Sequence, residues 1–513
     1  MPNPALPPTD QLPPMQNPAT FKAFITGLLS IVYVAGAWPA SAQQVAFPGA
    51  EGAGRFTSGG RGTASSPTTV FEVTNLADDT KPGSLRYALT QPAEHRTVVF
   101  RVSGTIHLNS PLTISKSNTT IAGQTAPGDG ICLADYPVSI KANNLIVRFM
   151  RFRMGDKNQN QGQVDGAGGD DAFGGLHNSR LIVDHCTMSW STDEAFSVYE
   201  GDSTTLQWNL MSEPLNYSYH FETGDKDFEH HGFGGIWGGQ HATMHHNLFA
   251  SCNNRTPRFN GSRYTHPAGY ENVDFRNNVI YNWGENNVYA GEGGNYNIVN
   301  NYYKYGPSTK ESVRARVLNP YKVAMGKNPL PYGKFYLTGN YVDASADVTR
   351  HNWQGVTMNG GAPADTVLSK VDRPFDIAPI ATQTAQEAYA AVLQSVGASL
   401  PKRDTLDQRI IRNVVTRTGR LIDVQGGYPH GTPYSISQKA WPVLHSAPAP
   451  ADTDHDGMPD KWESSHGLNP KDAKDRGTVT SNGYTALENY LNSLAAVAAP
   501  APGKSGAPAT QKK

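Results

Sequence analysis

The stretch MHHNLFASCNNRTPRF, residues 244–259, combines two kinds of sequence. Its first half is a short apolar–polar alternation that ends at Asn247, and its second half places two arginines around a proline, in Arg255-Thr256-Pro257-Arg258. The first half recurs along the chain, whereas the second half occurs once. A repeated unit with one unrepeated charged insert indicates a site mounted on a solenoid.

The repeat extends from about residue 145 to residue 342. Seven segments align without gaps: LIVRFMR from Leu145, LIVDHCT from Leu181, TLQWNLM from Thr205, TMHHNLF from Thr243, DFRNNVI from Asp274, NIVNNYY from Asn297 and YLTGNYV from Tyr336. The second column is always apolar, and the fifth column contains Phe149, His185, Asn209, Asn247, Asn278, Asn301 and Asn340. Successive members of the fifth column lie 23 to 39 residues apart. The shortest spacing corresponds to one rung of a parallel β-helix, and the longer ones to a rung plus a loop.

An asparagine that is stacked in register at a turn can bond the backbone of the rung above or below it. The asparagine column is therefore interpreted as structural, because it caps the turns that a solenoid must make. Neither helical periodicity nor propeller-blade signatures occur in the repeats. We predict an all-β fold, a right-handed parallel β-helix over residues 43–430.

The totals are compatible with this fold. A chain of 513 residues is too long for one small core, and 51 glycines, 23 tyrosines and 17% charged residues suit a turn-rich β protein. A net charge of −1 gives no electrostatic footprint for nucleic acid. The three cysteines, Cys132, Cys186 and Cys252, allow one disulfide at most, and three buried thiols are the alternative.

The amino terminus resembles an export signal. Residues 21–42 contain one lysine, an apolar run and Ala-Ser-Ala before Gln43, which is the pattern of a cleaved secretory signal. A membrane helix is the alternative, but the apolar run is short and contains Gly27, Gly36 and Pro39. We expect residues 1–42 to be a leader and signal peptide cleaved near Ala42, with translation alternatively beginning at Met15. The mature protein would be secreted, to the periplasm, the outer surface or the medium, without a membrane span.

The sequence after the repeats changes character. Thr384 and Glu387 form a capping box, and Asp404 precedes a second amphipathic pattern, so two short helices are predicted to cap the last rungs or the side of the solenoid. Residues 431–450 are rich in Gly and Pro and are predicted to be a linker. Residues 451–495 form a candidate module, and 496–513 a low-complexity tail expected to be disordered.

The module begins with DTDHDGMPDKWE, residues 452–463. This spacing is typical of an EF-hand-like, thrombospondin type 3-like calcium loop, with Gly457 at the sharp turn. An acidic surface loop is the alternative. The candidate ligands are Asp452, Asp454, Asp456, Met458 through its carbonyl, Asp460 and Glu463. A second loop, from Thr478, is degenerate, and we expect the module to serve stability or attachment and not catalysis.

Several motifs together resemble one enzyme family. They are AFPGAEGAG from residue 46, GSLRYAL from 83, TIAGQTAPGDGI from 120, IVRFMRFRMGD from 146, IVDHCTMSWSTDE from 182, GFGGIWGG from 232 and NNRTPRF from 253. Over roughly residues 45–430 the chain resembles a pectate lyase, and more narrowly the bacterial branch of polysaccharide lyase family 1. The resemblance implies cleavage of polygalacturonate by calcium-assisted β-elimination, which gives 4,5-unsaturated oligogalacturonides.

The same resemblance suggests roles for individual residues. Arg255 matches the family's catalytic arginine, the first in its Arg-x-Pro motif. A guanidinium normally keeps its proton, so this role rests on the resemblance, whereas the sequence itself shows only a cation placed for an acidic polymer. Arg258 fits either substrate binding or a structural ion pair.

The resemblance also implies a calcium site. Asp171 matches a ligand aspartate, with Asp170 as an adjacent alternative, and Asp193 and Glu194 are the acids available on the following rung. Better-known relatives carry two acids four residues apart there, but Ser189 stands four residues before Asp193 in this chain. This departure puts the calcium affinity in doubt. Asp184 and His185 are interpreted as structural.

Four further residues are candidates for contacts with substrate. Lys226 and His231, in or near the loop TGDKDFEHH, could supply the binding cation that the family places beside GFGGIWGG. Arg151 and Arg153 could bind galacturonate carboxylates or could pair with nearby acids.

Two other functions remain open from the sequence. A pectin lyase acting on methyl-esterified substrate would not need calcium, and a solenoid for pectin binding or adhesion would not need a base. The acids at Asp171, Asp193 and Glu194 favour the pectate form, and Arg255 argues against a purely binding role. A hydrolase would need paired carboxylates at acid/base spacing. We expect a monomer whose partner is polygalacturonate or pectin.

Overall fold

A computed structural model describes residues 43–496 apart from Ala64 and Thr265. The predicted leader and signal peptide, the cleavage site near Ala42 and the tail beyond residue 496 lie outside the described residues. No helix within the described ranges is both long and apolar enough to cross a membrane.

Three parallel sheets form the body of the molecule. Sheet 1 contains β1 Thr69–Val73, β2 Arg96–Phe100, β5 Thr119–Ala122, β8 Leu145–Arg148, β11 Ser179–Asp184, β14 Asp202–Gln207, β17 Ala242–His245, β20 Asn272–Arg276, β23 Asn295–Val299 and β26 Lys334–Thr338. Sheet 2 contains β3 Gly104–His107, β6 Ile131–Ala134, β9 Arg151–Arg153, β12 Thr187–Ser189, β15 Leu210–Ser212, β18 Leu248–Ala250, β21 Val279–Tyr281, β24 Tyr302–Lys304 and β27 Tyr341–Val342. Sheet 3 contains β4 Leu112–Ile114, β7 Val138–Ile140, β10 Phe173–Leu176, β13 Phe196–Tyr199, β16 Ile236–Trp237, β19 Arg258–Phe259, β22 Tyr289–Ala290 and β25 Asn319–Pro320. From β2 onward the chain visits the sheets in turn, and each strand pairs in parallel with its counterpart one rung away. The predicted right-handed parallel β-helix is confirmed.

Helices lie between the first strands and after the last ones. They are α1 Leu85–Thr90, α2 Ala346–Arg350, α3 Thr366–Ser369, α4 Ala385–Ser395, α5 Thr405–Thr416, α6 Tyr434–Ser437, α7 Asp460–Ser465 and α8 Ala486–Ala496. Short 3₁₀ turns occupy Gly123–Thr125, Glu311–Val313, Asn352–Gly355, Pro363–Asp365, Gln425–Gly427, Gln438–Ala440 and Asp475–Gly477.

A buried asparagine ladder lines the turns from sheet 1 to sheet 2. The backbone N–H of Asn247 donates to Oδ1 of Asn278 at 3.0 Å, and Nδ2 of Asn278 donates to the carbonyl of Met244 at 2.9 Å. The same pattern repeats from Asn209 through Asn340. The ladder ends on Asn352 of a 3₁₀ turn, whose Oδ1 accepts from the backbone N–H of Asn340 at 2.9 Å. The predicted structural role of the column agrees with these contacts.

The first two repeats are shifted by one residue from the gapless alignment. Asp184 pairs with Gln207, and the N–H of Cys186 donates to Oδ1 of Asn209 at 3.0 Å. Cys186 therefore lies beneath the asparagine column, and the assignment of His185 to that column was wrong. His185 belongs to the preceding column, where its ring stacks on Trp208 at 5.7 Å.

Residues of that preceding column adopt left-handed backbone angles, with φ of 52° at His185 and 57° at Trp208. Asp184, the neighbour of His185, accepts from Nε of Arg148 at 2.7 Å and is buried. The structural interpretation of Asp184 and His185 therefore agrees with the contacts, although the two residues lie one position away from the columns in which the alignment placed them.

Apolar side chains fill the space between the three sheets. Stacked rings run through sheets 2 and 3, with Phe152, Phe173 and Phe196 at centroid distances of 3.9 and 5.5 Å. Cys132, Cys186 and Cys252 are buried free thiols, as in the second alternative. Burial raises the pKa of the Cys132 thiol to about 11.

Helices α4 and α5 cover the side of the solenoid, over sheet 2. Thr384 and Glu387 form the predicted capping box of α4, and the side chain of Asp404 accepts from the N–H of Asp407 at the start of α5. Arg153, which is fully buried, donates to Asp407 at 2.7 Å beneath α5. Nε of Arg151, also fully buried, lies 3.1 Å from Asp404. Of the two alternatives for these arginines, the structure therefore supports ion pairing.

Residues 431–450 do not form the free linker that their composition predicts. Trp441 is 7% exposed, meets Trp190 edge-on at 4.9 Å, and donates through its indole N–H to the carbonyl of Arg153 at 3.2 Å. Ser446 bridges to Gly128. The glycines and prolines of this stretch therefore belong to a segment that packs against the solenoid.

We predict that Asn278→Ala lowers the free energy of unfolding by about 2–4 kcal/mol, because it leaves buried partners on both neighbouring rungs without hydrogen bonds. Urea denaturation followed by circular dichroism measures the change. Asn160→Ala, at an exposed loop position, is the control and should change stability little. Equal stability of the two variants would contradict the structural role of the ladder.

Candidate functional site

Charged side chains gather where the chain passes from sheet 2 to sheet 3. Bridges between Glu194 and Phe233 and between Phe233 and Asn254 place three successive rungs side by side at this edge. Asp171 precedes β10 and Arg255 precedes β19 on the same edge. Residues far apart in the sequence therefore face one another because the rungs stack in register.

Three acids form a cluster at this edge. Asp171, Asp193 and Glu194 each place one carboxylate oxygen within 4.8 Å of the others. The backbone N–H of Glu194 donates to Oδ1 of Asp171 at 3.0 Å, which holds the Asp171 carboxylate against the backbone of the neighbouring rung. Burial and repulsion by Asp193 raise the pKa of the Asp171 carboxyl well above its usual range. Crowded carboxylate oxygens are the donors that calcium prefers.

The other two candidate positions for this cluster face elsewhere. Oδ2 of Asp170 accepts from Nε2 of Gln159 at 2.8 Å, and Asp170 does not belong to the group of three converging acids. Ser189 lies in β12, buried, with its hydroxyl 3.0 Å from that of Ser212. The adjacent pair of Asp193 and Glu194 therefore supplies the acids on this rung.

Arg255 lies directly against the acid cluster. Its guanidinium forms an ion pair with Glu194 and sits 4.4 Å above the centre of the Phe233 ring. Its backbone has a left-handed φ of 56°, and a carbonyl–amide bond to Gly235 at 2.8 Å holds it there. The side chain is 24% exposed, so one face of the guanidinium remains open to solvent.

His231 lies between Asp193 of the cluster and Glu229. Nε2 is 2.5 Å from Asp193, and Nδ1 is 2.9 Å from Glu229. Burial lowers the pKa of the imidazole, but the two carboxylates outweigh burial and raise it to about 9. The ring is stacked on His220, with the ring centroids 4.0 Å apart, and is tilted against Phe233, with the centroids 3.6 Å apart.

These contacts correct the expectation that His231 binds substrate. Both ring nitrogens are occupied, and the side chain is 4% exposed, so a polysaccharide has no access to it. His231 is instead a positioning residue for Asp193. The sequence reasoning missed Glu229, although the acid precedes the two histidines of Glu229-His230-His231 and lies on the loop already singled out.

The two remaining substrate-binding candidates differ in their surroundings. Arg258 donates to Glu292 at 2.8 Å and to the carbonyl of Phe259 at 2.7 Å, and is 9% exposed, so the ion pair considered for it is present. Lys226 is exposed on its loop, and within the described ranges it has no ion pair.

The chain was compared with known proteins. No family model matches it. It is 33% identical over 463 residues to a protein of Aspergillus flavus named "Probable pectate lyase C", with 88% of this chain and 94% of that protein covered. Proteins of the same name from Emericella nidulans and Aspergillus fumigatus are 33% and 34% identical, with 88% of this chain and 93% and 94% of theirs covered. The chain belongs to the pectate lyase family.

Solved structures add little to this assignment of the chain to the pectate lyases. The cedar pollen allergen jun a 1 is 15% identical, with a TM-score of 0.44 over 68% of this chain and 92% of that chain. A variant of the Bacillus subtilis pectate lyase is 13% identical, with a TM-score of 0.44 over 68% of this chain and 96% of that chain. At these scores the assignment to the pectate lyase family rests on the fungal relatives.

The raised pKa of His231 predicts how the stability of this pectate lyase depends on pH. The folded pKa lies above the ordinary value of 6.5, so the contribution is fully present below about pH 6.5 and is lost as the pH rises through about 9. With a chelator present, the free energy of unfolding should fall over this range by up to roughly 3 kcal/mol. Denaturant titrations at a series of pH values measure the slope.

The matched control is His241→Gln, which alters an exposed histidine paired with Asp202 and should keep the slope of the parent chain. His231→Gln should flatten it. A slope that survives in the His231→Gln variant would contradict the assignment of a charged imidazole between Asp193 and Glu229.

Proposed function

We propose that this pectate lyase cleaves α-1,4-polygalacturonate by calcium-assisted β-elimination and releases 4,5-unsaturated oligogalacturonides. The observation that carries the proposal is the contact between the Arg255 guanidinium and Glu194, one member of a three-carboxylate cluster. The reaction needs a base for the C5 proton and a calcium ion on the neighbouring carboxylate. Arg255 can supply the base, and the carboxylate oxygens beside it can hold the ion. A pectin lyase would have no use for the acids.

The donor set of the cluster fits calcium. Asp171, Asp193 and Glu194 would hold the ion, and their convergence within 4.8 Å leaves room for ligands from the substrate and from water. When bound, calcium would neutralise the uronate carboxylate beside C5 and so make the C5 proton more acidic. The incomplete acid pair at Ser189 is compensated in part by the adjacent Asp193 and Glu194.

Glu194 has two competing partners in this scheme. In the structure its carboxylate forms an ion pair with Arg255. If Glu194 turns toward the other acids as a ligand, Arg255 loses its counter-ion and is left beside Phe233 with one open face. We infer that this exchange prepares Arg255 for its role, because a base must first have a site for the proton.

The elimination then needs a single proton transfer from the substrate to the protein. Arg255, in its neutral guanidine form, would take the C5 proton, and the electron pair would form the C4–C5 double bond. The C4–O4 bond breaks, and the departing oxygen takes a proton from water. His231 holds Asp193 throughout, since both of its nitrogens stay bonded to carboxylates.

Several finer statements remain predictions. Lys226 and Arg258 are proposed to attract or contact substrate carboxylates, Lys226 because it is exposed and Arg258 because it lies three residues past Arg255. We also propose secretion after cleavage near Ala42, a monomeric state and membership of the bacterial branch of polysaccharide lyase family 1. The domain division at about residues 430 and 450 is likewise proposed, with the intervening stretch packed against sheet 2.

We predict that Arg255→Lys lowers turnover at least about 10²–10⁴-fold, the usual contribution of a general acid–base group, while substrate binding survives in part. Added calcium should not restore this activity. Asp171→Asn should instead regain part of its activity as calcium is raised, because it weakens the metal site. The absorbance of the unsaturated product from polygalacturonate measures both effects.

The control for Arg255→Lys is Arg350→Lys, which makes the same change at an exposed arginine paired with Asp347 on α2. It should leave turnover unchanged. Near-normal turnover of Arg255→Lys would end the proposal that this arginine is the base.

Lys226→Ala should raise KM severalfold and leave kcat nearly unchanged, because an exposed surface cation contributes to attracting an acidic polymer and not to the chemical step. The effect should shrink at high salt. Lys439→Ala, at a lysine near α6, is the control. A lower kcat with an unchanged KM would contradict the binding role of Lys226.

A further inference from the structure

A second group of acids lies in the carboxy-terminal segment. Asp452, Asp454 and Asp456 place carboxylate oxygens within 4.8 Å of one another, and Asp456 forms an overlapping group with Glu463 and Asp475. We call these five residues the C-terminal cluster. Asp456 is 1% exposed and Glu463 is 0% exposed, so their charges are removed from water.

The oxygens of this cluster are largely without partners. Buried oxygens without a hydrogen bond within the described residues are both of Asp454, both of Glu463, Oδ2 of Asp456 and Oδ1 of Asp475. Buried carboxylates of this kind need a cation or protons. These buried oxygens argue against the alternative that the loop is only an acidic surface loop.

The spacing of the loop suggests Asp460 as a ligand, but in the structure Asp475 and not Asp460 joins the cluster. Both oxygens of Asp460 accept from Thr453, one from its N–H and one from its hydroxyl, at 2.7 Å each. Asp460 therefore closes the loop, and its expected role as a ligand is not supported. Asp475 lies outside the twelve-residue loop, with Oδ2 fixed by the N–H of Asn469 at 2.8 Å and Oδ1 directed at the cluster.

We propose that the C-terminal cluster binds a calcium ion, with Asp475 in place of Asp460, and that this ion holds residues 451–496 against the first rungs of the β-helix. We call this calcium-dependent attachment the latch. An all-oxygen set of acids suits a hard cation, and calcium accepts six to eight oxygens in flexible geometry. Nitrogen and sulfur ligands, which transition metals favour, do not belong to the cluster.

The latch follows from the residues next to the ligands. Arg101, just after β2, lies 3.4 Å from Asp452 and 3.3 Å from Glu72 of β1. His455, inside the loop, lies 2.7 Å from the other oxygen of Glu72. Arg476, beside Asp475, donates to the carbonyl of Thr68 at 2.9 Å. Ordering the ligands therefore also orders the contacts with β1 and β2.

Apolar packing completes the junction. Met458 and Leu487 belong to one buried cluster with Val99 of β2 and Ala122 of β5. At Gly457, which has a φ of 93°, an added Cβ would lie 3.2 Å from a methyl of Val70 and 3.3 Å from a methyl of Leu487. The metal loop is thus pressed against sheet 1, and a loop that opens without its cation would loosen this packing.

The degenerate second loop does not provide another site of this kind. Its amides and hydroxyls bond one another, with Asn482 donating to Asn489 and Thr480 donating to Asn482 at 2.8 and 2.7 Å. These bonds occupy the oxygens that a cation would need.

Calorimetric titration of calcium into the full chain tests the ligand set. The Asp171→Asn/Asp193→Asn background removes binding at the proposed lyase site, so the C-terminal cluster is observed alone. In this background, Asp475→Asn should weaken calcium binding at least tenfold, and Asp460→Asn should change it less than twofold. The reverse order would return the ligand role to Asp460, and an absence of calcium binding in the parent background would overturn the site.

Hydrogen exchange tests the latch without measuring activity, so its result is independent of the proposed lyase mechanism. In the Asp171→Asn/Asp193→Asn variant, saturating calcium should slow amide exchange in α8 at least tenfold and leave the exchange rates in α5 unchanged. In Asp475→Asn the protection should require correspondingly more calcium. Calcium binding without any change of exchange in α8 would overturn the latch.

Discussion

The structure depends on one repeated interaction, the hydrogen bonds of the buried asparagine ladder between sheet 1 and sheet 2. Each amide joins its own turn to the backbone of the neighbouring rung, as Asn278 does with Asn247 and Met244. Because buried backbone groups must be bonded, this turn can neither lengthen nor slip without a cost at every rung. From Asn209 to Asn340 the ladder therefore fixes each rung against the next one. Variation in length is left to the other turns, such as residues 213–235 and 251–257 between sheet 2 and sheet 3.

The candidate active site follows from that division. Acids and cations on loops of unequal length meet at one edge of sheet 3, where Asp171, Glu194 and Arg255 come from three different turns. The short strands beneath them are rigid, whereas the loops carry the chemistry. Electrostatic balance is maintained pairwise: His231 compensates Asp193, and Arg255 compensates Glu194. Among the described residues Asp171 has no ion-pair partner, and burial with repulsion by Asp193 raises the pKa of its carboxyl well above its usual range.

Much of the fold could be predicted from the sequence because the repeat is a local pattern. The asparagine column predicted the solenoid, but the alignment of the first two repeats slipped by one residue, since Cys186 stands where later rungs have asparagine. Arg255 and the acids were found through motifs and resemblance. The roles of His231 and Asp475 could not be found in this way, because each depends on a partner from another loop. Residues 431–450 were misread because glycine and proline content does not report whether a segment is packed.

The two acid clusters differ in how their charge is balanced, and this difference bears on what each could do with calcium. Three carboxylates at the lyase edge face the cations of Arg255 and His231 at direct contact distance. Five carboxylates in the C-terminal cluster face only Arg101 at 3.4 Å among the contacts of their described neighbours. Attraction for a divalent cation grows with uncompensated negative charge. In the proposed scheme the C-terminal cluster would therefore retain calcium as a structural ion, whereas the lyase edge would hold it weakly until the carboxylates of an acidic polysaccharide complete the shell.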